Sequence, residues 1–185
     1  MSEFSESYHL LSNNQQEGIS LLQNAGIGGF VYPETNNWVT LLPEGEIFEL
    51  NNKLITQNSG LLLHYIYAED HGWSLSVFER TNRTFHYECT WEEEVENNYQ
   101  EINKSKIIEI MNSNPDREND ITAFEILKYF KISDIEELFE LNPAYRVAEL
   151  IGLRNFEWIS YEYMEMDQND NANPVGDKGI IIVNP

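Results

Sequence analysis

The chain has 185 residues, 41% of them hydrophobic, with ten Tyr, nine Phe and four Trp. That length and aromatic content suit a folded domain with its own core and exclude a disordered chain. Its 32 acidic and 11 basic residues give a net charge of −21, which argues against direct binding to nucleic acid or anionic lipid, since both are held by releasing counterions onto Lys and Arg.

A single cysteine, Cys89, excludes an intramolecular disulfide and a Cys-based zinc site within one chain, and points to a reducing compartment. The first residues, Met1-Ser-Glu-Phe-Ser-Glu, are acidic and lack the apolar run of a signal peptide. Apolar stretches such as Leu61-Leu62-Leu63 are far too short to cross a membrane. A soluble, cytoplasmic protein with no membrane association is expected.

In chain order, Tyr8-His-Leu-Leu11 is a short apolar run followed by the N-capping residues Ser12, Asn13 and Asn14. A helix carrying Leu21 and Leu22 ends at Gly26, a left-handed C′ residue. Phe30-Val31-Tyr32 and Trp38-Val-Thr-Leu-Leu42, stopped by Pro33 and Pro43, read as a hairpin with its loop at residues 34–37. Between Leu61 and Trp91 three strands follow. Leu61, Leu63, Tyr65 and Tyr67 alternate with Leu62, His64 and Ile66. Trp73, Leu75 and Val77 alternate with Ser74 and Ser76. Phe85, Tyr87, Cys89 and Trp91 alternate with His86, Glu88 and Thr90.

After Glu92 the period becomes helical. Tyr99, Ile102, Ile107, Ile110 and Met111 form a stripe ending at residues 112–115. Asp120 is placed to cap a helix with Phe124, Leu127 and Phe130 on one face. Ser133-Asp-Ile-Glu136 has capping-box spacing before Ile135, Leu138 and Phe139. Asn142-Pro143 opens a helix through Val147, Leu150 and Ile151 to Gly152. Residues 156–164 read as a strand entering a helical turn, and residues 180–183 as an edge strand or a segment that pairs with another molecule.

The fold class is therefore α+β: an antiparallel β-sheet meander over about residues 28–91, packed against an N-terminal helix and several short C-terminal helices. Residues 1–166 form one domain, mainly sheet to 96 and mainly helical beyond it. Residues 167–185 are expected to be a flexible tail with a short terminal strand.

Two groups of residues are candidates for function. The first is the acidic run Glu92, Glu93, Glu94 and Glu96 with Trp91 and Tyr99 as aromatic rims, a docking patch for a basic protein partner; as plain structure it is the solvated start of a helix. The second is the polar cluster His64, Glu69, Asp70, His71 and His86. Two histidines and a turn carboxylate suit a metal in kind, but positions 64 and 71 stand about 15–20 Å apart along extended chain unless the turn folds back. A Ser76-His86-Glu88 triad can also be drawn, but nothing resembles a nucleophile elbow or an oxyanion hole. Cys89 lies on the core face with no base beside it. Asp167-x-Asn169-x-Asn171 lacks the Gly and bidentate Glu of a calcium loop, and the glycines of residues 26–29 precede a strand rather than a helix. No catalytic residue, metal or cofactor is assigned.

The acids are uneven: residues 1–90 carry 11 acids and 3 bases, residues 91–185 carry 21 and 8. In size and charge the chain is similar to the small acidic immunity proteins of bacterial toxin systems. That resemblance implies a non-enzymatic inhibitor of a basic toxin. The alternatives are a small-ligand or metal-dependent enzyme built on the histidine cluster, and an oligomeric protein of structural role.

Overall fold

A computed structural model describes residues 2–117, 121–169 and 178–185. Strands form where large apolar residues recur at every second position. β4 (Leu61–Ala68), β5 (Gly72–Glu79), β6 (Asn82–Trp91) and β7 (Val95–Asn97) run as an antiparallel meander. Leu63 pairs with Val77 and Val77 with Phe85; Tyr65 pairs with Leu75 and Leu75 with Tyr87. The three strands thus turn one shared apolar face inward, as the alternation predicts. β2 (Gly29–Val31) and β3 (Trp38–Pro43) form the expected hairpin. Its loop holds Asn36 and Asn37 at positive φ, where Asn is tolerated better than most residues.

The sheet is not one continuous meander, because the N-terminal segment enters its middle. β1 (Phe4–Leu11) lies between β4 and β3, and the strand order is β7-β6-β5-β4-β1-β3-β2-β8. Phe4 to Leu10 pair with β4, whereas only Tyr8 to Leu11 pair with β3. β8 (Ile181–Val183) completes the opposite edge by pairing with β2 of its own chain. Residues 170–177 of the expected tail lie outside the described residues.

Among the described residues seven α-helices pack on the sheet. α1 (Gln15–Ala25) is capped by the Asn14 side chain and ended by Gly26 at φ 63°. α2 (Asn52–Gln57) falls in a stretch without periodic apolar spacing. α3 (Lys104–Asn112), α4 (Ala123–Lys128), α5 (Ile135–Leu141) and α6 (Pro143–Leu150) follow, then α7 (Tyr161–Asn169). Several local expectations change. Thr122 caps α4, its amide donating to the Glu125 carboxylate; Asp120 lies outside the described residues. Because α4 starts only at Ala123, Phe124 falls in its first turn and is 81% exposed, while Leu127 and Phe130 are buried. Asp134, not Ser133, caps α5 by accepting from the Glu136 and Glu137 amides. Residues 92–94 form a bend between β6 and β7 rather than a helix start.

The two faces are covered at opposite ends. α3 to α6 pack on the apolar face of β4–β6 around Trp73, Tyr87, Phe130 and Val147. Buried side chains stitch that layer to the sheet: Tyr87 Oη donates to the Phe130 carbonyl at 3.0 Å and Trp38 Nε1 to the Ile151 carbonyl at 3.0 Å. Lys106 of α3 reaches Glu79 of β5 at 2.6 Å. On the reverse face α1 and α2 cover the other half, around Tyr8, Leu22, Val39 and Leu54. The reverse face of β4–β6 keeps exposed and half-buried residues along β6.

The central strand also anchors the C-terminal half. Glu3 is 2% exposed, and its carboxylate accepts from the Ser5 hydroxyl, the Tyr145 hydroxyl and the Trp158 amide. All three donors are neutral, so three hydrogen bonds take the place of a counter-ion. The Ile159 amide donates to Ser5 Oγ at 3.2 Å, and the Glu6 amide to the Ile159 carbonyl at 2.9 Å. Residues 158–159 thus occupy the flank of β1 that β3 leaves unpaired. We predict that Glu3→Gln, which sets an amide NH2 against groups that donate, lowers stability by roughly 2–4 kcal/mol, and Tyr145→Phe by about 1 kcal/mol. Urea unfolding checks both; an unchanged midpoint for Glu3→Gln would remove this anchoring role.

His9 is buried on the same strand, with Nε2 at 2.9 Å from Ser7 Oγ and Nδ1 at 3.1 Å from Thr40 Oγ1. Burial, assisted by nearby His64, lowers its pKa to about 3, so the folded protein keeps it neutral. An unfolded histidine takes a proton near pH 6.5. The stability His9 confers is thus full above about pH 6.5 and falls by up to about 1.4 kcal/mol per pH unit down toward pH 3. Replacing His9 by Gln should flatten the stability profile between about pH 6 and pH 4 by one proton's slope; parallel profiles for the two proteins would rule this out.

Candidate functional site

β5 sets Gly72, Ser74 and Ser76 in a row on the face that α3–α6 do not cover. The flanking positions are larger: Ile66–Ser74–Glu88 form one cross-strand row and His64–Ser76–His86 the next. Small residues between larger walls make a trough along β5, a cavity of about 310 Å³. Only glycine fits at position 72, since a Cβ there would stand 2.4 Å from the Cys89 carbonyl oxygen. Phe48 and Leu50, from the loop of residues 44–50, form part of the wall, and both are more than a third exposed.

The trough has two unlike ends. Beside Gly72 are aromatic rings: Phe4 lies 6.1 Å from Phe48 and 6.2 Å from His71 between centroids. At the other end Arg83, paired with Phe78, contributes a guanidinium. Between them His64 stacks on Tyr8 at 4.2 Å and meets Glu6 Oε1 through Nε2 at 2.7 Å. The other oxygen of Glu6 accepts the Phe48 amide at 2.8 Å. Glu6 therefore joins the trough floor to the loop above it, with Phe48 held at φ 67°. His86 Nδ1 is 2.9 Å from Ser76 Oγ. Burial, and then Arg83, lower the His86 pKa, which favours the neutral imidazole.

The Ser76-His86-Glu88 set is thus partly assembled, with His86 Nε2 4.0 Å from Glu88. It lacks what acyl transfer requires. Ser76 sits mid-strand and buried, within the β-ladder, and not at the sharp strand-to-helix turn that exposes such a nucleophile. Of the polar cluster, His64, His71 and His86 line the one trough, because the turn of residues 69–71 brings His71 back to its rim. Glu69 instead accepts the Glu3 amide at 2.9 Å, and Asp70 is exposed in the turn. Among the described residues no three His, Cys, Asp or Glu side chains are grouped to hold a metal ion, and no helix is long and apolar enough to cross a membrane.

The acidic run divides differently. Glu92, Glu93, Glu94 and Glu96 are exposed. Trp91 is 4% exposed, its Nε1 donating to the Glu69 carbonyl at 3.2 Å, so it cannot rim a patch. The exposed ring there is Phe139 of α5, 58% exposed and 6.2 Å from Trp91. Tyr99 stands apart, with Lys104 and Lys131 ammonium groups 4.4 and 5.0 Å from its ring centre. A second cavity, about 300 Å³, adjoins the loop of residues 44–50 and brings Glu6, Glu44, Glu46 and Glu49 together with Lys53.

Glu6, Phe48 and Arg83 were missed as site residues from sequence. The alternation of Glu6, Tyr8 and Leu10 against Ser5, Ser7 and His9 was the available signal for β1; nothing local marks Phe48. Compared with protein-family models, curated proteins and solved structures, the chain matches none.

Cys89 is buried in β6, and burial pushes its thiol pKa up to about 11, so little nucleophilic thiolate exists near neutrality. The folded protein should resist a thiol-reactive disulfide reagent for hours at pH 8 and titrate one thiol in urea. Prompt reaction in the folded state would contradict this burial.

Proposed function

We propose that this is a non-enzymatic binding protein whose acidic surface engages a basic protein partner, in its most concrete form an immunity-type inhibitor of a bacterial toxin. The observation that supports this reading most directly is the setting of Phe139. An exposed aromatic ring seated against buried Trp91 offers a rigid apolar anchor of the sort that dominates interface energetics. Around it are exposed carboxylates on two elements: Glu92, Glu93 and Glu94 after β6, and Glu136, Glu137 and Glu140 on α5. A net charge of −21 would also speed encounter with a cationic partner.

The test is capture of basic proteins from the source cell's lysate by the immobilised chain. The same capture is run with Phe139→Ala and with Glu92, Glu93 and Glu94 all changed to Gln. A specific basic partner should bind at about 50 mM salt and elute by about 1 M, where exposed charges are screened beyond about 3 Å. Phe139→Ala should weaken binding at least tenfold, and the triple Gln variant should flatten the salt dependence. Capture that ignores both salt and the variants would overturn the proposal, as would a purified partner whose activity the chain leaves untouched in the immunity-type form.

A further inference from the structure

We propose that the trough along β5 binds a zwitterionic small molecule of amino-acid size with an apolar or aromatic side group, seated against the wall that Phe48 forms. The site is independent of the acidic Phe139 patch, which lies at the β6–β7 and α5 end of the molecule.

Three observations select this ligand. First, the cavity is in the size range of small-molecule sites, about 310 Å³. Second, its β6 wall carries one group of each charge. Arg83 makes no ion pair among the described residues, and Glu88 has only His86 at 4.0 Å. The two lie on either side of His86 in the strand, so a ligand bearing a carboxylate and an ammonium can satisfy both. A ligand carrying a single charge would meet only one of the two. Third, the Gly72 end is apolar: Phe48 and Ala68 line it beside His71, a place for a side group and not for a second charge. His64 and Ser74 add polar contacts midway. The Nδ1 atom of His64 bonds no protein group among the described residues, since Nε2 takes Glu6.

The Glu6 link couples that wall to the ligand site. One carboxylate holds the His64 imidazole and the Phe48 amide together, so a ligand that touches His64 also acts on the loop segment. Phe48 is a non-glycine residue at φ 67°, a backbone state that persists where neighbouring groups hold it.

Calorimetric titration of the full chain with L-phenylalanine and L-leucine, each to about 10 mM, tests the site, with 3-phenylpropionate and phenethylamine as single-charge controls. We expect saturable binding of at least one amino acid, with the two controls about tenfold weaker or more. Arg83→Ala, an exposed change, should abolish binding while leaving the folded spectrum intact; Ser74→Trp, which fills the trough, should do the same. Phe48→Ala should weaken binding several-fold. No saturable binding of either amino acid overturns the proposal. So do controls that bind as well as the zwitterions, or an Arg83→Ala protein that binds as well as the unmodified chain.

Discussion

Burying the polar side of β1 is the constraint on which the rest of the structure depends. A central strand buried on both faces ordinarily carries apolar residues throughout, yet this one turns Ser5, Ser7 and His9 toward the helices. Each buried polar group must find a partner or lose roughly 1–3 kcal/mol. The partners found are Glu3 for Ser5, and Ser7 and Thr40 for His9. Glu3, once buried, requires donors of its own, and it draws them from α6 and from residue 158. The position of the C-terminal segment is thus a consequence of polar satisfaction at the N-terminus.

Coverage of the sheet follows the same logic in reverse. Where a face is uniformly apolar, as along Leu75, Val77 and Tyr87, helices lie on it; where it carries Ser74, Ser76, His86 and Glu88, no helix has an apolar stripe to gain. The open face is therefore already written into the second set of alternating positions of β5 and β6. What the loop of residues 44–50 adds is a wall, tied at Phe48 by a carboxylate that also holds a histidine.

Much of the fold was legible because it rests on local periodicity. The β4–β6 register, both ends of α1 and the Asn142-Pro143 start of α6 all follow from residue spacing. β1 was harder to read. Its acids and serines look like a solvated N-terminus, and only the pairing with β4, 58 residues away at the Glu6–His64 contact, makes them interior. Phe124 shows the opposite error, a large apolar residue placed on a buried face that its helix is too short to present. Trp91 and Tyr99 are both aromatic and both near the acidic run, yet one is core and the other is capped by lysines; no pattern in the sequence separates them. The histidine cluster was legible as a set of residues on one face, but not as a trough, because the depth comes from Gly72, Ser74 and Ser76 lying between larger neighbours.

The Glu3 contacts bear on how the chain reaches its folded state. Its carboxylate receives donors from residues 142 and 155 positions further along, so the loop closed is almost the entire protein. During synthesis from the N-terminus, β1 can pair with β3 and β4 while Glu3 still lacks two of its partners. The first half would then persist as an incomplete sheet with a bare carboxylate at its centre. Long-range closure of this sort slows folding, and it makes the final third of the chain the step that commits the first strand to its place.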